Sequence, residues 1–429
     1  MAQQPSGEQP GFGSRSQANP KSFLEAIFNA IDKVARRIAE FAPLGRGVRD
    51  AMRSDDGLIS WKNVRDIAAA TLELQRNQPE AITPAIVEAY QHMLDDAKGQ
   101  VAGYTNLKVS GLPEKVDVFD QMDWIDANIV SFRFLFNPIS AKYVSMLQEM
   151  QGEKGLPGKG TQKFARGILS LQVGVIMGYL SRNVLGQFDL SLPEPEKGSK
   201  LYVVEPNVRR VDDELGLDPI EFRKWITLHE VTHSFEFHSN GWLKGFLTYQ
   251  MQQYLDSIDW RGMARPDFFR RLREQGRAAD EGDALKAGGL ISLVSSPEQR
   301  AILARLQGVM SVLEGYSNHV MDAVGKELLG SYEEMKERFD RRRENKSAAE
   351  RLFQRLIGID LKMQQYKLGE KFVNAVVDAE GLEFMNRVWE KSDRMPTMEE
   401  INNPTAWVAR IKSGRGPAKF TIVPGSAEE

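Results

Sequence analysis

Two histidines four residues apart, with a glutamate directly after the first, make His229-Glu230-Val231-Thr232-His233 the stretch richest in chemistry. On a helix, residues at i and i+4 share one face, so both imidazoles can reach a single cation. Glu230 lies about 100° around the helix from His229, beside such a cation rather than on it. Zinc lowers the pKa of a bound water toward neutrality, and a neighbouring carboxylate can take the proton and return it to a leaving amine. The chain has only 5 histidines, and His229, His233 and His238 fall within ten positions of one another. Trp225, Ile226, Val231 and Phe235 form an apolar stripe that sets this helix inside the body. Histidines there need partners, and a metal supplies them.

A catalytic zinc takes three protein ligands and keeps one position open. The extended HExxHxxGxxH pattern does not provide the third, because Glu236 and Ser239 stand where its glycine and last histidine would be. A carboxylate about 20 residues downstream is also missing, since Gln252 and Gln253 stand there. The segment SVLEGYSNHVMDAVG concentrates Glu314, Asn318, His319 and Asp322 in an otherwise apolar helix, where buried polar groups need a reason to be. Glu314 is the leading third ligand, with His319 and Asp256 as the alternatives. Asp322 is a candidate for orienting a ligand imidazole through its other ring nitrogen, or else bonds locally to Asn318. Glu236, one turn beyond His233 near the same face, reads as an orienting or structural group. His238 falls off that face and reads as a surface or packing histidine. His319 and Tyr316 are candidates for stabilising an oxyanion.

The elements that must position these groups are mostly helical. DPIEFRKWITLHEVTHSFEFHS reads as one helix, with Asp218 as N-cap and Pro219 at its first position. A further helix starts at Pro297 and runs to about Leu329, and residues 334–350 read as a solvated, charge-dense helix. Upstream, TPAIVEAYQHMLDDAKG suggests a helix capped by Thr83 and stopped at Gly99. DQMDWIDANIVSFRFLF and the stretch from Phe164 to about Asn183 add two more. GQFDLSL and LYVVEP are the strand candidates, and Leu201–Glu205 is expected at a sheet edge, where it could hold an extended peptide. The GKGT at 158–161 lacks the register and preceding strand of a phosphate loop. Residues 23–41 carry a basic amphipathic pattern that packs on the body or, as the alternative, touches a membrane surface. The units expected are a disordered tail at 1–22, a helical region at 23–155, a catalytic domain at 156–412 and a second tail at 413–429.

Bulk properties narrow the partners. With 56 basic and 59 acidic residues the formal charge is −3, which leaves no basic surplus for a nucleic-acid backbone. Cysteine is absent, so thiol catalysis, disulfides and cysteine-bound zinc are excluded, in keeping with a cytoplasmic location. The apolar run Ile168–Leu180 falls short of the about 20 residues that span a bilayer.

The sequence resembles a bacterial zincin-like family of uncharacterised zinc-dependent metallopeptidases and hydrolases. SRNVLGQFDLSLP, VVEPNV, the HEVTH helix with the following GWL, LEGYSNHVMDAVG and NRVWEKSDRMPTMEEINNPTAWVARI carry that resemblance, from about Trp61 to Ile411. It implies metal-site roles for His229, Glu230, His233 and Glu314. Related chains often have histidine where this one has Tyr316. Some members carry a label linking them to a deazaflavin coenzyme, although nothing here resembles a nucleotide or flavin site. The expectation is a predominantly helical α+β, zincin-like fold with a small sheet beside the HExxH helix. One Zn2+ per chain would serve a peptide or small amide substrate. The alternatives are a non-peptidase amidohydrolase and an inactive, zinc-stabilised interaction protein.

Overall fold

A computed structural model describes residues 57–73, 81–149, 159–189, 199–258, 296–344 and 360–416. The tail at 1–22, the amphipathic segment 23–41 and most of the tail at 413–429 lie outside the described residues, as do residues 263–295.

Helices dominate. In chain order they are α1 (Trp61–Glu73), α2 (Pro84–Thr105), α3 (Gln121–Glu149), α4 (Lys159–Asn183), α5 (Glu205–Leu215), α6 (Pro219–His238), α7 (Trp242–Asp256), α8 (Pro297–Leu328), α9 (Tyr332–Glu344), α10 (Asp360–Glu380), α11 (Leu382–Met385), α12 (Met398–Asn402) and α13 (Pro404–Lys412). Three short strands, β1 (Val116–Phe119), β2 (Gly186–Asp189) and β3 (Lys200–Val204), form one sheet in the order β1-β3-β2. β3 runs parallel to β1 and antiparallel to β2. The predominantly helical α+β expectation holds.

Local chemistry explains several boundaries. Asp218 accepts from the amides of Ile220 and Glu221 and so caps α6, with Pro219 in the first turn. Ser296 and Gln299 form a reciprocal capping box at the start of α8. α2 starts at Pro84 as expected but runs through Gly99 to Thr105, where Asn106 ends it in the left-handed region (φ 54°). A single glycine lowers helix propensity by only about 1 kcal/mol, and burial of Tyr90, Leu94, Ala97 and Val101 outweighs it.

β3 corrects an expectation. It is the central strand, paired on both sides, and Leu201 to Val204 are all buried. It therefore offers no free edge, and the edge strand beside α6 is β2. β1, a strand that sequence reading missed, pairs with β3 across the 155/156 boundary, and one hydrophobic cluster reaches from Tyr90 on α2 to Ile411 on α13. That boundary is no break in packing. A second cluster joins α1, α3 and α4, with Val64, Ala68, Trp124, Ile125 and Met177 at its centre. Among the described residues no helix is long and apolar enough to cross a membrane.

Candidate metal centre

The sheet, α2 and α8 surround α6 and hold its chemical face in a fixed direction. Buried Phe222, Ile226, Val231 and Phe235 lock the apolar side of the helix. The other side carries the two imidazoles. Glu314 meets them from α8, whose position beside α6 is set by a backbone-to-backbone crossing with α10. A Cβ on Gly315 would strike the backbone of Gly369, and a Cβ on Gly369 would strike Ser311. The glycine next to Glu314 thus allows the close approach that fixes its position.

His229, His233 and Glu314 each direct one donor atom to a common point, all within 4.8 Å of one another. The two Nε2 atoms are 3.2 Å apart. Glu314 Oε2 lies 3.7 Å from His229 Nε2 and 3.8 Å from His233 Nε2. Ligands held about 2.0–2.1 Å from a tetrahedral zinc are separated by roughly 3.3–3.4 Å, so the spacing suits that ion. Glu314 Oε2 is also buried without a hydrogen-bond partner, an unstable condition that a cation relieves. The side chains of the three residues are 23, 14 and 12% exposed. The residues present fit a zinc held by three protein ligands.

Glu230 is buried beside them. Its Oε2 accepts from the Phe188 amide of β2 at 2.9 Å. Gly186, two residues earlier, has to be glycine for this contact: an added Cβ would lie 2.6 Å from Glu230 Cγ. Burial raises the Glu230 pKa to about 7; the charge on His233 opposes that rise and the Glu314 charge adds to it. A carboxylate poised there exchanges protons readily near neutral pH.

The outward side of His233 is equally specific. Its Nδ1 lies 2.7 Å from Glu236 Oε2 and 3.2 Å from Ser317 Oγ on α8. Burial alone would lower the pKa of His233, but the Glu236 carboxylate, followed by Glu314 and Glu230, outweighs it and holds the value at about 10. Burial also lifts Glu236 to about 7 against the pull of His233. Three carboxylates facing two imidazoles make a field that favours a divalent cation. The Nδ1 of His229 meets Met321 Sδ at 2.9 Å.

Other sequence candidates lie elsewhere. The Tyr316 hydroxyl donates to Asn386 Oδ1 at 2.7 Å and its ring packs edge-on against Trp389. His319 uses Nε2 with Tyr104 and Nδ1 with Asn374. Neither belongs to the converging group, which corrects their reading as oxyanion stabilisers. Asp322 bonds Tyr332 and Lys336 rather than either ligand imidazole, so the orienting role considered for it is also corrected. Asp256 pairs with Lys142 at the surface and is no ligand. His238 packs as expected, with Nδ1 on the Ser234 carbonyl and Nε2 on Ser199. Ser317, Met321, Gly186 and Phe188 were missed. All four act through backbone proximity or weak contacts that residue type does not announce.

Among curated proteins none matches the chain. A solved structure, described as that of a candidate hydrolase with a novel fold from Chloroflexus aurantiacus, is similar at 34% identity and a TM-score of 0.61. The match covers 83% of this chain and 99% of that one. The family model for zincin-like metallopeptidases matches residues 59–408. With an HExxH helix, a carboxylate from a second helix and a match across most of its length, the chain belongs to the zincin-like metallopeptidase family.

Proposed function

We propose that the protein is a zinc-dependent metallopeptidase, with His229, His233 and Glu314 holding one Zn2+ and Glu230 acting as general base. The observation that carries this reading is the convergence of three donor atoms within 4.8 Å, one of them a buried carboxylate oxygen with no hydrogen-bond partner. Zinc bound there supplies Lewis acidity, lowering the pKa of water and polarising a carbonyl. Glu230 accepts the proton released on attack and returns it to the leaving nitrogen, a role that suits a buried carboxylate beside the converging donors. The Phe188 amide holds Oε2 in place, so the carboxylate needs little reorganisation.

A peptide substrate is favoured over a small amide by the match to zincin-like metallopeptidases. The test combines metal analysis with a peptide-library screen. Wild type should carry about one zinc and cleave peptides, and Glu230→Gln should keep the zinc and lose at least ~100-fold in turnover. His233→Ala and Glu314→Ala should lose both. A wild type that takes up no zinc overturns the proposal, and a zinc-loaded protein that leaves every peptide intact moves the reading to the amidohydrolase or the inactive scaffold.

A further inference from the structure

We infer that Glu236 is the positioning residue that aims His233 at the metal. This inference rests on the metal reading above and assigns the ligand helix an outer partner of its own.

The geometry is local. Glu236 follows His233 by three residues, so its side chain, which leans toward the helix N-terminus, falls over the imidazole. Its Oε2 stands 2.7 Å from Nδ1, while Nε2 of the same ring faces Glu314 and His229. The two nitrogens of one imidazole therefore have separate duties. A ring that coordinates through Nε2 carries its proton on Nδ1, and a carboxylate accepting that proton fixes both the tautomer and the ring plane. Since Glu236 sits on the Nδ1 side, it is not itself a ligand.

Burial gives the contact its weight. Glu236 has 0% exposure, and its second oxygen has no hydrogen-bond partner. A carboxylate so placed is costly to the fold unless it is paired, and its pairing here is with the ligand imidazole. α8 reinforces the arrangement from the other side. Ser317, fully buried and one turn beyond Glu314, brings its hydroxyl to 3.2 Å from the same Nδ1. One helix thus carries two ligands, the base and the orienting carboxylate, while the other carries the third ligand and a supporting hydroxyl.

The experiment measures zinc affinity by competition with a chromogenic chelator, using the full chain as wild type, Glu236→Gln and Glu236→Ala. Loss of such an outer partner typically weakens metal binding 10–100-fold. Glu236→Ala should fall at about 100-fold. Glu236→Gln keeps an acceptor oxygen near Nδ1 and should recover to about 10-fold. Metal-free melting temperatures are followed alongside, because removing the buried partner of the His233 ring lowers stability by itself; recovery of zinc affinity in Glu236→Gln separates aiming of the ring from that loss. The absorption spectrum of the cobalt-loaded protein should shift in Glu236→Ala, reporting a changed ligand field. Both variants within about threefold of a zinc-binding wild type would overturn this inference alone. A wild type that binds no zinc would overturn the metal reading and this inference with it.

Discussion

Two clusters of buried charge lie along α6, about two turns apart, and they are finished to different degrees. Near the start of the helix Arg223 donates to both oxygens of Glu205, to Asp212 and to the Pro219 carbonyl. Tyr90 and Arg209 complete the shell of Glu205. Further along, His229, His233, Glu230, Glu236 and Glu314 crowd together, yet Glu314 Oε2 and Glu236 Oε1 have no hydrogen-bond partner. The first cluster is closed by the protein's own cations and ties α2, α5 and α6 together. The second has carboxylates in excess of the donors that answer them. Buried charge by itself does not mark a functional site; incompletely answered buried charge does.

The largest expected effect comes from opening the closed cluster. Arg223→Met should destabilise the fold by about 3–5 kcal/mol, because Asp212 loses its cation and Glu205 keeps only the more exposed Arg209. Urea denaturation at neutral pH would measure it. A loss below about 1 kcal/mol would mean that the network is not the structural tie its geometry suggests.

The open cluster should respond in the opposite sense. Zinc at 100 times its Kd should add about 2.7 kcal/mol to the stability of wild type. Glu314→Gln should abolish that gain while leaving the metal-free protein within about 1 kcal/mol of wild type, since the lost attraction to the two imidazoles is set against neutralising a buried oxygen that has no hydrogen-bond partner. Thermal melts with and without zinc would read both quantities. A metal-free Glu314→Gln protein that melts well below wild type would show that Glu314 belongs to the structural class after all.

How much of this contrast the sequence disclosed depends on how local each signal is. The bounds of α6 were legible because Asp218-Pro219 is a capping signal and the HExxH spacing is helical. Glu314 was legible as an acid on an apolar helix. Tyr316 and His319 should have been discounted by the same helical geometry, for they point roughly 160° and 140° away from Glu314 at about 100° per residue. Ser317 and Met321, within roughly 60° of it, were the better guesses. The position of β3 just before α6 suggests an edge, but its composition says otherwise. Leu201-Tyr202-Val203-Val204 has no polar alternation, which fits a central strand buried on both faces. β1 escaped notice because Val116–Phe119 is only 4 residues long and interrupted by Asp117, so its strand character comes from pairing with β3. The contact of Glu236 with His233 follows from i,i+3 spacing, but its burial comes from α8 and cannot be read from α6 alone.

Within the open cluster Glu230 is the exception, since the Phe188 amide answers it. Gly186→Ala tests how far that contact depends on a missing side chain. The added Cβ would meet Glu230 Cγ at 2.6 Å, so β2 or the carboxylate has to shift. A stability loss of about 1–3 kcal/mol is expected, as for other small-to-large changes in packed sites. Zinc content should be unchanged, because the three ligands are untouched, whereas peptide turnover should fall with the displaced base. Full turnover would show that β2 yields without disturbing Glu230.

The smallest effect separates closure from burial. Glu221, in the first turn of α6, accepts from the amides of Gly330 and Ser331 and from the Ser331 hydroxyl, but it stands close to solvent. The Ser331 hydroxyl and amide bonds hold its pKa below the ordinary glutamate value, against slight desolvation. A depressed carboxyl pKa stabilises the fold fully above the unfolded-state value, and the contribution is lost as pH falls through the folded one. Glu221→Gln should therefore cost only about 0.5–1 kcal/mol at neutral pH, given solvent screening. The difference from wild type should hold down to roughly pH 5 and vanish in more acidic solution. Matched urea titrations from neutral to acidic pH would follow it. A pH-independent difference would assign the cost to lost packing at the α8–α9 turn rather than to charge. A difference as large as that for Arg223→Met would mean that saturation alone, without burial, is enough to make a carboxylate a structural tie.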